Sequence, residues 1–251
     1  CGTGILGCRS IWLIINFISQ RNSLSRRTIV ASNSNEKILF SWIHLSDIHF
    51  RHGIERHQID QELVLKALLE DISKTINSPQ RNIPRPDSIF ITGDIAYSGS
   101  VIYENEYATA EKWLSNVSQV TNLSQNQIFV IPGNHDIQRD VYLKDDDTAM
   151  FIDLLRNGNR RMEWALKNDK YYKMLMSRLE NFSKFSNKFA PFCLGEHYQA
   201  KHAYWQWTSR PTSELPIRLI GLNTSLLCQD DNDKGKLRLS LSQIKDIPNL
   251  D

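Results

Sequence analysis

Three short runs, Asp47-Ile48-His49, Gly93-Asp94 and Gly133-Asn134-His135-Asp136, set carboxylate, imidazole and amide groups directly after three hydrophobic runs of the kind that form buried strands. These residue types suit a site for two metal ions. Hard carboxylate oxygens take Mn, Fe or Mg, and imidazole adds a preference for transition metals over Ca and Mg. Two ions about 3.5 to 4 Å apart activate a water as nucleophile and compensate the charge on phosphoryl oxygens, so hydrolysis of a phosphate ester is the expected reaction. Asp47 and His49 are one residue apart, and in an extended segment such side chains point the same way, which lets the pair grip one metal. Asp94 is placed to bridge both metals through its two oxygens, and Gly93 lets the backbone turn sharply there. Asn134 offers a neutral carbonyl oxygen to the second metal.

The elements that must position these groups alternate strand and helix from Lys37 onward, which predicts an α/β fold on parallel strands. A strand is expected over Ile38 to Leu45. A helix follows from about Gln61 to Asn77, with Val64, Leu65, Leu68, Leu69, Ile72 and Ile76 on one stripe and Asp60 as its cap. Strands are predicted over Ser88 to Thr92 and Gln127 to Ile131, separated by a helix near Tyr103 to Val120. All three motifs then lie beyond the carboxyl ends of strands, where open α/β sheets bind their ligands. Residues 140–205 read as a helical insertion over the site, with Phe151, Trp164, Tyr171, Tyr172, Phe182, Phe185, Phe189 and Phe192 as its core rather than a stacking platform for bases. A further strand is expected from Pro216 to Leu222, and Ser240-Leu241-Ser242-Gln243 has the form of a capping box.

In this order, D-x-H, G-D and G-N-H-D resemble the calcineurin-like metallophosphoesterase superfamily, over roughly Ile38 to Asp251, including Leu222-Asn223-Thr224-Ser225 and the Gly235 to Gln243 segment. The resemblance implies an αββα sandwich of mixed sheets and two divalent metal ions, Mn, Fe or Zn, as cofactors. It implies Asp47, His49 and Asp94 at the first metal, and Asp94 and Asn134 at the second. By the same resemblance His135 is no ligand but faces the scissile ester, with Asp136 orienting it. Members of the superfamily continue with a lone ligand histidine and a G-H-x-H motif, whereas no histidine follows His202 here. The domain is therefore expected to be truncated at Asp251, with little turnover by this chain alone.

Residues 1–36 read as a poorly defined extension, and 37–251 as the phosphoesterase domain. The apolar run at residues 11–18 is too short for a membrane span, which takes about 20 apolar residues. With 41% hydrophobic and 23% charged residues and a net charge of +2, the chain has the composition of an ordinary soluble protein and no electrostatic case for nucleic acid or membrane. The four cysteines, Cys1, Cys8, Cys193 and Cys228, lack C-x-x-C spacing and suit reduced thiols in the cytoplasm. His44 reads as a satisfied core histidine, or as one that supports the ligands from behind, rather than as a ligand. Arg51, His52, Arg56 and His57 fit either a substrate phosphate site or a solvated loop. Asp145-Asp146-Asp147 reads as a surface turn. The partner implied is a phosphate-ester substrate, with further domains in a longer protein. The reading from a different class is a binding or regulatory module that keeps the fold without the catalysis.

Overall fold

A computed structural model describes residues 14–17, 40–51, 55–79, 83–99, 103–189, 204–212, 215–229, 233 and 237–245. Its main sheet has four strands in the order β1 (Ile14–Phe17), β2 (Ser41–Leu45), β3 (Ser88–Thr92), β4 (Ile128–Ile131). β2 pairs with β3 and β3 with β4 in parallel, Leu45 opposite Ile91 and Thr92 opposite Ile131. β1 runs antiparallel to β2, so part of the apolar run in the N-terminal extension forms an edge strand. The sheet is thus mixed, in an α/β fold of the expected class. Its central strands are almost continuously buried, as parallel strands covered on both faces must be.

The helix α1 (Glu55–Ile76) starts six residues ahead of Gln61, and Asp60 lies inside it rather than at its cap. Leu65 and Ile72 are buried, but Val64 is exposed. Val64 stands about 100° round the helix from Leu65, which takes it off the edge of the inward stripe. The helix α2 (Tyr103–Thr121) buries Tyr107, Ala110, Leu114 and Val117 as its periodicity predicts. The indole of Trp113 donates to the Leu65 carbonyl at 3.2 Å and ties α2 to α1.

Among the described residues the insertion comprises α3 (Arg139–Lys144), α4 (Asp146–Arg156), α5 (Met162–Lys167), α6 (Asp169–Ser177) and α7 (Glu180–Ser186). Phe151, Phe182, Phe185 and Phe189 are buried and join the main core, whereas Trp164 is half-exposed; Phe192 lies outside the described residues. The acidic run is not a free turn. Asp145 caps α4, accepting from the Thr148 amide, and Asp146 and Asp147 occupy the first turn, where the helix dipole favours negative charge.

A second sheet pairs β5 (Tyr204–Thr212) with β6 (Leu215–Leu222), antiparallel. β6 is the strand expected from Pro216; β5 had no counterpart in the sequence reading. A short helix, α8 (Leu241–Lys245), follows. Only half of the capping box forms there, with the Gln243 amide 3.4 Å from the Ser240 hydroxyl. The Gln243 side chain goes to Asn223 instead, accepting from its amide at 2.8 Å and donating to its carbonyl at 2.9 Å. That pairing satisfies two buried backbone groups where β6 ends. No helix among the described residues is long and apolar enough to cross a membrane.

Candidate metal centre

The carboxyl ends of β2, β3 and β4 lie side by side, and short backbone bonds lock the loops that leave them. His49 N donates to the Asp94 carbonyl at 2.9 Å and Phe50 N to the Ile95 carbonyl at 2.8 Å. Gln61 of α1 reaches under the first loop and donates to the carbonyls of Ile48 and His49 at 2.8 and 2.9 Å. Two glycines make the close approach possible. A Cβ on Gly93, whose φ is +97°, would stand 2.8 Å from the Gly133 Cα, and one on Gly133 would overlap the Asp94 carboxylate.

Within this frame His49, Asp94 and His135 converge, each offering one ligand atom, all within 4.8 Å of one another. His49 Nε2 lies 3.9 Å from Asp94 Oδ2, while Asp94 Oδ1 accepts from the His135 amide at 2.9 Å. The rings of His49 and His135 meet edge to face at 4.5 Å. One carboxylate and two imidazoles are donors suited to a divalent transition metal. His135, which the resemblance sets apart from the ligands, stands in the same group.

Asp47 does not. Its carboxylate is exposed and accepts from the neighbouring Ser46 hydroxyl. The expectation that Asp47 and His49 share one metal assumed an extended backbone. Burial does alternate, with Ile48 and Phe50 in the core, but Asp47, His49 and Arg51 have φ of 56°, 53° and 66°. Asn134 sits half-buried in the 3-10 turn Asn134–Asp136 that opens directly after β4.

Asp136 differs from its expected role. Its carboxylate is fully buried and accepts from the amides of Ala96 (2.9 Å), Gly133 (2.9 Å) and Ile95 (3.3 Å) and from the Tyr107 hydroxyl (3.1 Å). Those four donors engage it in joining the β3 loop to the β4 loop. Burial pushes its carboxyl up to about 7, against the downward pull of the amides. The Tyr107 hydroxyl is raised in turn, by its own burial and then by Asp136.

The acceptor on His135 is instead the Tyr97 carbonyl, 2.6 Å from Nδ1. A carbonyl can only accept, so Nδ1 carries the proton and Nε2 is left for chemistry. The Arg139 guanidinium, 3.4 Å from Nδ1, is therefore a neighbour and not a donor to that nitrogen. His44 pairs with the Thr92 hydroxyl at 2.6 Å, in keeping with a structural histidine. Arg51 is exposed, Arg56 and His57 fall in α1, and His52, His197 and His202 lie outside the described residues. The Tyr97 carbonyl and Glu106 of α2, whose carboxylate accepts from the Ser98 amide and hydroxyl at 2.8 Å, escaped the sequence reading. A main-chain acceptor leaves no trace in residue type, and only an acid on the inward stripe of α2 could have drawn notice.

The model of calcineurin-like phosphoesterases matches residues 40–223. A Bacillus subtilis (strain 168) protein described as an uncharacterized metallophosphoesterase-like protein, YydB, is 26% identical over 196 residues, 78% of this chain and 35% of the relative. The chain thus spans about a third of that relative's length. No solved structure matches.

Proposed function

Because the chain belongs to the calcineurin-like phosphoesterase family, we propose that it hydrolyses phosphate esters with two divalent metal ions, Mn, Fe or Zn, held where β2, β3 and β4 end. The observation that carries this reading is the convergence of His49, Asp94 and His135 from three loops that are far apart in sequence. His49 and Asp94 would hold the ions, with Asp47 and Asn134 on the loops beside them. Divalent ions held there would supply a water of lowered pKa and compensation of charge on the phosphoryl oxygens.

The chain's own groups supply the rest. His135, its Nδ1 proton held by the Tyr97 carbonyl, presents Nε2 to the ester; in the protonated ring that nitrogen gives a proton to the leaving oxygen. Asp136 acts as a brace, fixing the Gly133 amide and the two amides after Asp94 at once. The substrate class is a phosphodiester or phosphomonoester, and the setting is cytoplasmic, which the free thiol of Cys228 supports.

The test, on the full-length protein, is hydrolysis of a nitrophenyl phosphodiester with and without Mn2+. His135→Ala is expected to lower kcat by about 10²- to 10⁴-fold, the usual contribution of a positioned acid. His49→Ala and Asp94→Ala should abolish metal binding by calorimetry. A protein that binds the ion but turns nothing over would return the chain to the reading of a binding module. Unchanged kcat in His135→Ala would remove the assignment of the reacting group.

A further inference from the structure

His135 is oriented by a main-chain carbonyl, and a carbonyl is only as well placed as the turn that carries it. The turn in question, Tyr97-Ser98-Gly99, leaves the β3 loop just after Asp94. It is held from α2. Glu106, 4% exposed, accepts from both the amide and the hydroxyl of Ser98, each at 2.8 Å. On its other side the turn lies against the chain that follows His135. Gly99 has a φ of +58°, and a Cβ there would stand 2.7 Å from the carbonyl oxygens of Asp136 and Ile137. The Tyr97 ring stacks on the His135 ring at 5.7 Å and 28° and meets the His49 ring edge-on at 6.3 Å.

A buried carboxylate is costly unless its oxygens are bonded, so an acid among the apolar inward residues of α2 calls for a reason. Of its neighbours on that face, Ala110 and Leu114 are there for packing, and Tyr107 packs while its hydroxyl donates to Asp136. We propose that Glu106 is a positioning residue of the site: it anchors the Tyr97-Ser98-Gly99 turn, so that the Tyr97 carbonyl keeps the Nδ1 proton of His135 and Nε2 remains the reacting nitrogen. The proposal rests on the reading of His135 as the group that faces the ester. Without the anchor the carbonyl drifts, and the imidazole proton redistributes between its two nitrogens, since the bond made by one nitrogen sets the state of the other.

The test is the tautomer of His135, read from long-range 1H–15N correlation of the imidazole with Zn2+, a diamagnetic ion, present. The His135 signals are those missing from His135→Gln. Wild type is expected to show the Nδ1–H form. Glu106→Gln keeps an oxygen for both Ser98 donors and should preserve that form. Glu106→Ala should shift the population toward Nε2–H and lower kcat by about 10- to 100-fold, part of the acid's usual contribution, with KM little changed. If Glu106→Ala does not fold, Ser98→Ala, which deletes one of the two donors, should give the same shift at smaller size. An unchanged Nδ1–H form in Glu106→Ala, or in Ser98→Ala where the former does not fold, overturns the proposal. Failure of the phosphoesterase reading looks different: the full-length wild type would hydrolyse no ester while the tautomer pattern across the variants stayed as described, and Glu106 would stand as the anchor of His135.

Discussion

The brace at Asp136 makes an unusual demand on stability as pH changes, and Asp136→Asn exposes it. The carboxyl is fully buried, and its value is pushed from the ordinary 3.8 up to about 7, with desolvation as the leading cause. Between those two values the folded protein holds a proton that the unfolded chain has lost. Stability therefore falls as pH rises through this window. The stabilising contribution is complete below about pH 4 and gone above about pH 7. The interval of about 3 pH units, at about 1.36 kcal/mol each, corresponds to about 4 kcal/mol.

Asparagine has nearly the same shape and never ionises. Below about pH 4 it stands in for the neutral acid, since the acid places a hydroxyl, and asparagine an amide nitrogen, where one of the two accepting oxygens of the carboxylate stood. Near pH 8 the variant should be more stable than wild type by up to about 4 kcal/mol. Urea unfolding of both proteins at a series of pH values, with a chelator present, measures the difference directly, and subtraction removes the other carboxylates. A difference constant from pH 4 to 8 would refute the reasoning. A wild type that gained on the variant as pH rose would mean that the four donors on Asp136 outweigh its burial.

Arg156 and Asp233 form a pair at 2.6 Å in which Asp233 is 2% exposed, and Arg156 also donates to the Leu227 carbonyl at 2.7 Å. Arg156→Met should cost about 3 kcal/mol in chemical denaturation, the low end of the range for a broken buried pair because Arg156 keeps some solvent; Arg156→Met with Asp233→Asn should recover much of that. Equal losses in the single and double variants would show that the pair is not the cause. Cys228 is buried and free, and its thiol is pushed up to about 12 by burial and then by Asp233. Iodoacetamide at pH 8 should leave it unlabelled in the native protein and label it in urea, as peptide mass spectrometry would show.

The sheet was legible because its signals are local. β3 runs from Ser88 to Thr92 as the hydrophobic run and Gly93 foretell, and β4 stops at Ile131 before Pro132. Parallel strands buried on both faces need such runs, and the breakers after them mark where the loops of the site begin. β5 left no comparable mark, because the polar residues Gln206, Thr208 and Ser209 break up its apolar positions. Gln243 misled in a different way. Its spacing from Ser240 fits a cap, and only the approach of Asn223, twenty residues away in sequence, shows that its amide has better use elsewhere.

At the site, residue types and order were readable, but their directions were not. Asp47, His49 and Asp94 all take positive φ, and none is glycine. Aspartate and histidine tolerate that region better than most residues, yet each such step still costs something, and the surrounding bonds must hold it in place. Here they do. Asp94 is pinned between Gly93 and Gly133 and bonded to the His135 amide, and His49 is fixed by the Asp94 carbonyl and by Gln61. A motif read as letters implies that Asp47 and His49 act as a pair. The structure brings His49 together with Asp94 and His135, so the candidate ligand group runs across the three loops. This is why its supports, Gln61, Glu106 and the Tyr97 carbonyl, come from outside the three motifs.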